Sequence, residues 1–176
     1  MKTLFNNKYR VKSSRMKGWD YSNSDAYFIT ICTKNRIHFF GDINNGIMCL
    51  NEIGGLVYND WLNIPNRNPN IQLGEFIVMP NHIHGLLILN NDVETFRETS
   101  LRTNHSMSKI SPKPNSISRI VRSYKSGIKN HLNKQKTEFA WQTRFHEHII
   151  RNSQSFSRIS NYIRTNPNTW STDKFY

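Results

Sequence analysis

Phe76–Leu89, FIVMPNHIHGLLIL, carries two short apolar runs, Phe76–Met79 and Gly85–Leu89, separated by Pro80-Asn81. Runs this short, nearly continuous and β-branched suit interior strands covered on both faces. Just after the break stand His82 and His84, with Ile83 between them. Alternate side chains of an extended strand share a face, so the two imidazoles point one way and Ile83 the other. Neutral imidazole ligates borderline divalent ions well, which makes the pair the beginning of a metal site. Two ligands do not complete one, and two hydrogen-bonded histidines at a strand end are the plain alternative.

Outward from this stretch, residues 26–33, AYFITICT, are dense in β-formers and read as a strand. Ile37–Phe40 and Ile47–Leu50, with Gly and Asn between them, predict a short hairpin. Asn51 is placed to cap a helix that carries Ile53, Leu56, Val57 and Trp61 at helical spacing and ends near Pro65. Gly54 and Gly55 each weaken that helix by about 1 kcal/mol, so packing has to hold it. The polar stretch 91–115 predicts a mobile loop. After it, Ile117, Ile120, Val121, Tyr124, Ile128 and Leu132 stripe a helix over Ser116–Asn133. Phe139–Arg144 and Phe145–Ile150 are strand-like, and Ser153–Thr165 reads as a last helix with Phe156, Ile159 and Ile163 inward. Pro167 disfavours continuing it through Asn166. Strand pairs adjacent in sequence, alternating irregularly with helices, predict the α+β class: an antiparallel sheet covered by helices, in one domain spanning 1–176.

Lys and Arg number 24 against 12 Asp and Glu, a formal net charge of +12. That excess favours a polyanionic partner and argues against a site built from acidic ligands. In the basic tail 1–24, Lys8, Arg10, Lys12, Arg15 and Lys17 are interleaved with Tyr9, Trp19 and Tyr21. Cations beside stacking rings are what a groove for unpaired nucleic acid uses. On the 116–133 helix, Arg119, Arg122, Lys125 and Lys129 lie off the apolar stripe, and no acidic residue occurs between Glu98 and Glu138. A helix face touching phosphates is the expectation. No apolar stretch approaches the ~18 residues of a membrane span, and the N-terminus lacks a signal-peptide apolar core. With only Cys32 and Cys49 a disulfide framework is not expected, and a cytoplasmic setting is.

The last helix offers what the histidines lack. Tyr162 and Asn166, four residues apart, share a helix face. A phenol can attack phosphorus and hold a cut strand covalently. Its ordinary pKa of ~10 keeps it protonated near neutrality, and a metal that polarises the phosphoryl group helps. An Asn carbonyl is a reasonable hard ligand to complete a two-histidine site for Mg2+ or Mn2+. Tyr162 as simple packing and Asn166 as a helix terminator are the plain readings. Tyr124 is a rival nucleophile lying within its helix stripe. His146 and His148 form a second H-x-H that physics alone does not rank below the first, and Glu147 between them can ligate or act as a base.

FIVMPNHIHGLLIL, WQTRFHEHIIRN and NYIRTNP, in that order, resemble the REP-associated tyrosine transposases of the HUH single-tyrosine transposase superfamily. MKGWDYS, YFITICTKNR and LNEIG resemble the same branch, so the likeness runs over almost the whole chain. The resemblance implies a ferredoxin-like core and a metal-dependent endonuclease and strand transferase acting on single-stranded or hairpin DNA. It implies that His82 and His84 are the paired metal ligands. Tyr162 matches the nucleophile of the Y-x-x-x-N motif, and Asn166 its metal-binding position, where other single-tyrosine transposases carry Gln. His146, Glu147 and His148 would then be structural or supporting residues. The superfamily includes dimers that exchange the tyrosine helix, so a monomer or a homodimer is compatible. Two other readings stand beside this one. The first is a DNA- or RNA-binding protein that keeps the fold without cleavage. The second is a histidine-pair phosphoesterase, which Ile149 after His148 fits poorly.

Overall fold

Pro80-Asn81 reverses the chain so that Met79 faces His82 and Val78 faces Ile83 across an antiparallel pair. The computed structural model describes residues 24–90, 115–173 and 175. The expectations for Lys8, Arg10, Lys12, Arg15 and Lys17 and for the loop over 91–114 lie outside the described residues. In chain order the strands are β1 (Asp25–Cys32), β2 (Gly41–Asn44), β3 (Ile47–Leu50), β4 (Ile71–Met79), β5 (His82–Leu89) and β6 (His146–Ile150). The helices are α1 (Glu52–Leu62), α2 (Ile64–Arg67), α3 (Ile117–Lys134) and α4 (Ser153–Thr165). Short 3-10 segments occupy Lys34–Arg36 and Asn166–Thr172.

β4, β5, β1 and β6 form one antiparallel sheet in that order, with β5 and β1 inside and β6 at an edge. The helical crossovers between β1 and β4 and between β5 and β6 make this the ferredoxin-like arrangement of the α+β class, as expected. The period of two divides the sheet's side chains between two cores. Tyr27, Ile29 and Ile31 of β1 and Ile83, Leu87 and Leu89 of β5 pack with Val57 and Trp61 of α1 and with Ile120, Tyr124 and Ile128 of α3. On the opposite face, Leu86 and Ile150 meet Ile163 of α4, with Phe28, Phe156 and Ile159 around them. His82 and His84 belong to this second face, beneath α4.

The helices start where their caps stand. Asn51 accepts from the Gly54 amide, Ser116 from Arg119 and Asn152 from Ser155. Gly85 makes room for the Trp61 ring: a Cβ on it would lie 2.3 Å from Trp61 Cζ2. Tyr124 is buried edge-on to Trp61, and its hydroxyl donates to the Val57 carbonyl at 2.9 Å. It is a core residue, far from any nucleophile's role.

Three local expectations are corrected. The hairpin pairs Gly41–Asn44, not Ile37–Phe40, with Ile47–Leu50. Asn45 and Gly46, both at positive φ, form the two-residue turn that sets this register. Phe139–Arg144 is not a strand; among the described residues its one ladder contact is the bridge from Trp141 to Thr33. The segment is held instead by α3, whose Lys125 and Lys129 ammonium groups donate to the Gln142 and Phe139 carbonyls, while Trp141 Nε1 donates to the Lys125 carbonyl. The helix expected to end near Pro65 stops at Leu62, and one further helical turn, α2, follows because Pro65 is well placed at a helix start. Among the described residues no helix is long and apolar enough to cross a membrane, and both cysteines are free thiols.

Candidate active site

Each histidine of the β5 pair has its Nδ1 occupied by a neighbouring oxygen. Asn81 Oδ1 lies 2.8 Å from His82 Nδ1. The Asn81 amide nitrogen donates to the Arg36 carbonyl at 3.2 Å and the Phe175 carbonyl at 2.8 Å, which fixes which end of the carboxamide is oxygen. His82 Nδ1 therefore carries the proton, and Nε2 carries the lone pair. Across the sheet, Thr30 Oγ1 lies 2.9 Å from His84 Nδ1. Thr30 and His84 are register partners on β1 and β5, so strand pairing itself sets this contact. The two imidazole rings stand 4.4 Å apart between centroids, both essentially buried.

α4 brings the tyrosine to this pair. Ile163, fully buried in the second core, fixes the helix on the sheet, and Tyr162 beside it leans over β5. The Tyr162 hydroxyl lies 3.2 Å from His84 Nε2, and its ring meets Phe28 edge-on. Tyr162 is 37 % exposed, so solvent and a substrate can reach it. Asn166, one turn further on, ends α4 and opens the 3-10 turn. It is completely buried, and its Oδ1 has no hydrogen-bond partner among the described residues. A buried carbonyl oxygen left in that state is costly unless something else satisfies it.

Asp173, which the sequence reading passed over, joins the two residues. Its Oδ2 accepts from the Tyr162 hydroxyl at 3.3 Å and from Asn166 Nδ2 at 3.0 Å. Burial, reinforced by this carboxylate, pushes the Tyr162 phenol up to about 12, against a smaller opposing effect of the Asn166 amide. Phe175 completes the surroundings: its ring centroid lies 4.6 Å from that of His82, and the Arg36 guanidinium lies 5.0 Å from the Phe175 ring centre. No local signal marked Thr30, Asn81 or Asp173. Pro80-Asn81 was legible as a chain break, and Asn81 serves the site because of it.

The second H-x-H lies elsewhere. His146 and His148 project from edge strand β6 on the same sheet face as His84, with Thr30 between His84 and His146 in the register, and both are exposed. Glu147 turns to the opposite face and is buried beside Ile29. On α3, Arg119 and Arg122 are exposed, whereas Lys125 and Lys129 are partly buried against the 139–143 segment.

The donor set fits a divalent cation: two buried imidazoles with their Nδ1 atoms occupied, and a buried carboxamide oxygen one α-helical turn from a phenol. Strand order, two helices on one face and the helix bearing Tyr162 on the other define the class as a ferredoxin-like α+β fold. The chain is similar to the REP-associated tyrosine transposase bound to a REP hairpin, with a TM-score of 0.57 over 96% of this chain and 76% of that one, at 18% identity. It belongs to one family with an uncharacterized protein of Haemophilus influenzae, 36% identical over 166 residues, which are 94% of this chain and 92% of that protein. No protein-family model matches the chain.

Proposed function

We propose that this protein is a transposase-like enzyme that nicks and rejoins single-stranded DNA through a covalent tyrosine intermediate. The observation that carries the reading is the Tyr162 hydroxyl 3.2 Å from His84 Nε2, within one chain and at the edge of solvent. The fold shared with the hairpin-bound transposase supports DNA as the substrate and a hairpin as its form.

In this reaction the Tyr162 oxygen attacks the scissile phosphorus and loses its proton. The bond from phosphorus to the 3′ oxygen breaks, and that oxygen takes up a proton to leave as a 3′-hydroxyl. The product is a 5′-phosphotyrosine, which keeps the phosphodiester's energy in the protein–DNA bond. Attack by the 3′-hydroxyl of the same or another strand reverses the step and joins the ends. His82, His84 and Asn166 would hold a divalent ion, Mg2+ or Mn2+, which would offset charge on the phosphoryl oxygens. Asn81 and Thr30 keep the imidazoles in one orientation. Because the phenol reaches the histidines of its own chain, action in cis by a monomer is the simpler arrangement. Arg119 and Arg122, exposed on α3, would contact the phosphate backbone.

The test is a labelled hairpin oligonucleotide with a single-stranded flank, incubated with Mn2+. Wild type is expected to form an SDS-stable adduct, Tyr162→Phe none, and Tyr124→Phe an adduct still. An adduct that persists in Tyr162→Phe refutes the assignment. Hairpin binding that is indifferent to EDTA and never followed by nicking would mark a protein that only binds nucleic acid.

A further inference from the structure

We propose that Asp173 is the positioning residue of this site, orienting the Asn166 carboxamide so that its oxygen faces the cation; the proposal rests on the metal-site reading above. The carboxylate is divided between two tasks. Oδ1 accepts from the Phe175 amide at 2.7 Å, and the Asp173 amide donates to the Trp170 carbonyl at 3.0 Å, so the chain's own turn holds the side chain in place. Oδ2 is thereby aimed at Asn166 Nδ2 and the Tyr162 hydroxyl.

A carboxamide has a donor end and an acceptor end, and nothing in its shape distinguishes them. A carboxylate accepts only, so it admits just the nitrogen of Asn166 on its side. The oxygen is then directed to the opposite side, where it is buried with no hydrogen-bond partner among the described residues. Among the described residues, the groups that donate to this carboxylate are the Tyr162 hydroxyl, the Asn166 amide and the Phe175 backbone amide. Asp173 Oδ2 also receives the phenol, so one atom sets the direction of both the ligand and the nucleophile. A turn cap alone would need Oδ1 and leave Oδ2 to solvent. Here Oδ2 has two partners one helical turn apart, Tyr162 on α4 and Asn166 at its end.

The experiment is a double-mutant cycle read by Mn2+ binding to the DNA-free protein, followed by the loss of the free-ion EPR signal. Asp173→Ala is expected to weaken Mn2+ binding about tenfold, the range seen when a group supporting a ligand is removed. In an Asn166→Ala background the same substitution should change Mn2+ affinity less than twofold, because its target is gone. Asp173→Glu at unchanged melting temperature should recover part of the loss. Equal weakening in both backgrounds, as for a carboxylate that ligates directly, overturns the proposal, and so does an Asp173→Ala protein that binds Mn2+ like wild type. His84→Ala separates the two layers. Mn2+ binding that His84→Ala leaves intact refutes the metal site and this proposal with it. Binding that depends on His84 without coupling between Asp173 and Asn166 refutes the role of Asp173 alone.

Discussion

Thr30 and His84 sit directly opposite one another on β1 and β5, and the hydroxyl of one meets Nδ1 of the other at 2.9 Å. A side-chain hydrogen bond between register partners cannot drift without shifting the ladder. The imidazole is thus aimed by the most rigid part of the molecule, the centre of the sheet. Thr30→Val keeps the shape of the side chain and removes this bond. We expect Mn2+ affinity to fall about tenfold while the far-UV spectrum stays unchanged. Calorimetric titration with Mn2+ would decide it, and equal affinities would show that packing alone orients the ring.

The phenol of Tyr162 is neutral over a wide range in the metal-free protein. Its pKa is raised, first by burial and then by Asp173, to about 12. The neutral form is the one the folded state favours. The stability this contributes is fully present below the ordinary value of ~10 and is lost as pH rises through the folded value. The tyrosinate absorbance of wild type minus that of Tyr162→Phe should therefore titrate with a midpoint near 12. Tyr124 is also raised well above its usual range, by burial, but it is common to both proteins and cancels. A midpoint at the usual tyrosine value would mean that the side chain is not held against the sheet in solution.

Two glycines should respond in opposite directions. Gly85 has the Trp61 ring where a methyl would go, so Gly85→Ala should cost about 1–3 kcal/mol in urea unfolding. Gly55, inside α1, has nothing within 4 Å of a built Cβ. Gly55→Ala should stabilise by about 0.5–1 kcal/mol, the ordinary helix propensity difference. If both destabilise, α1 is packed more tightly on its outer face than the geometry indicates.

The four cations of α3 should separate into two pairs. Arg119→Ala and Arg122→Ala are expected to leave the melting temperature unchanged and to lower the salt dependence of hairpin binding by about one charge each. Lys125→Ala should lower the melting temperature, because its ammonium donates to the Gln142 carbonyl and burial has already depressed its pKa. Lys129→Ala should do the same through Phe139. Binding curves at several salt concentrations, set beside thermal melts, distinguish the two behaviours.

Much of this molecule was legible along the chain because local rules govern it. Ser116 and the stripe from Ile117 to Leu132 delimit α3, and Tyr162 and Asn166 share a face of α4 by helical periodicity alone. Alternation along β5 was enough to put His82 and His84 on one face. What the chain could not disclose is which of its two H-x-H pairs is buried, since that depends on β5 lying inside the sheet and β6 at its edge. Strand order arises from pairing between segments distant in sequence, and no local pattern encodes it. The same holds for Thr30, for Asp173, and for the Phe139–Arg144 segment, whose β-forming residues make a single bridge to Thr33 and are otherwise held by lysines of α3. Residue type and spacing determined which groups were available for chemistry; only the folded chain's return upon itself decided which of them meet.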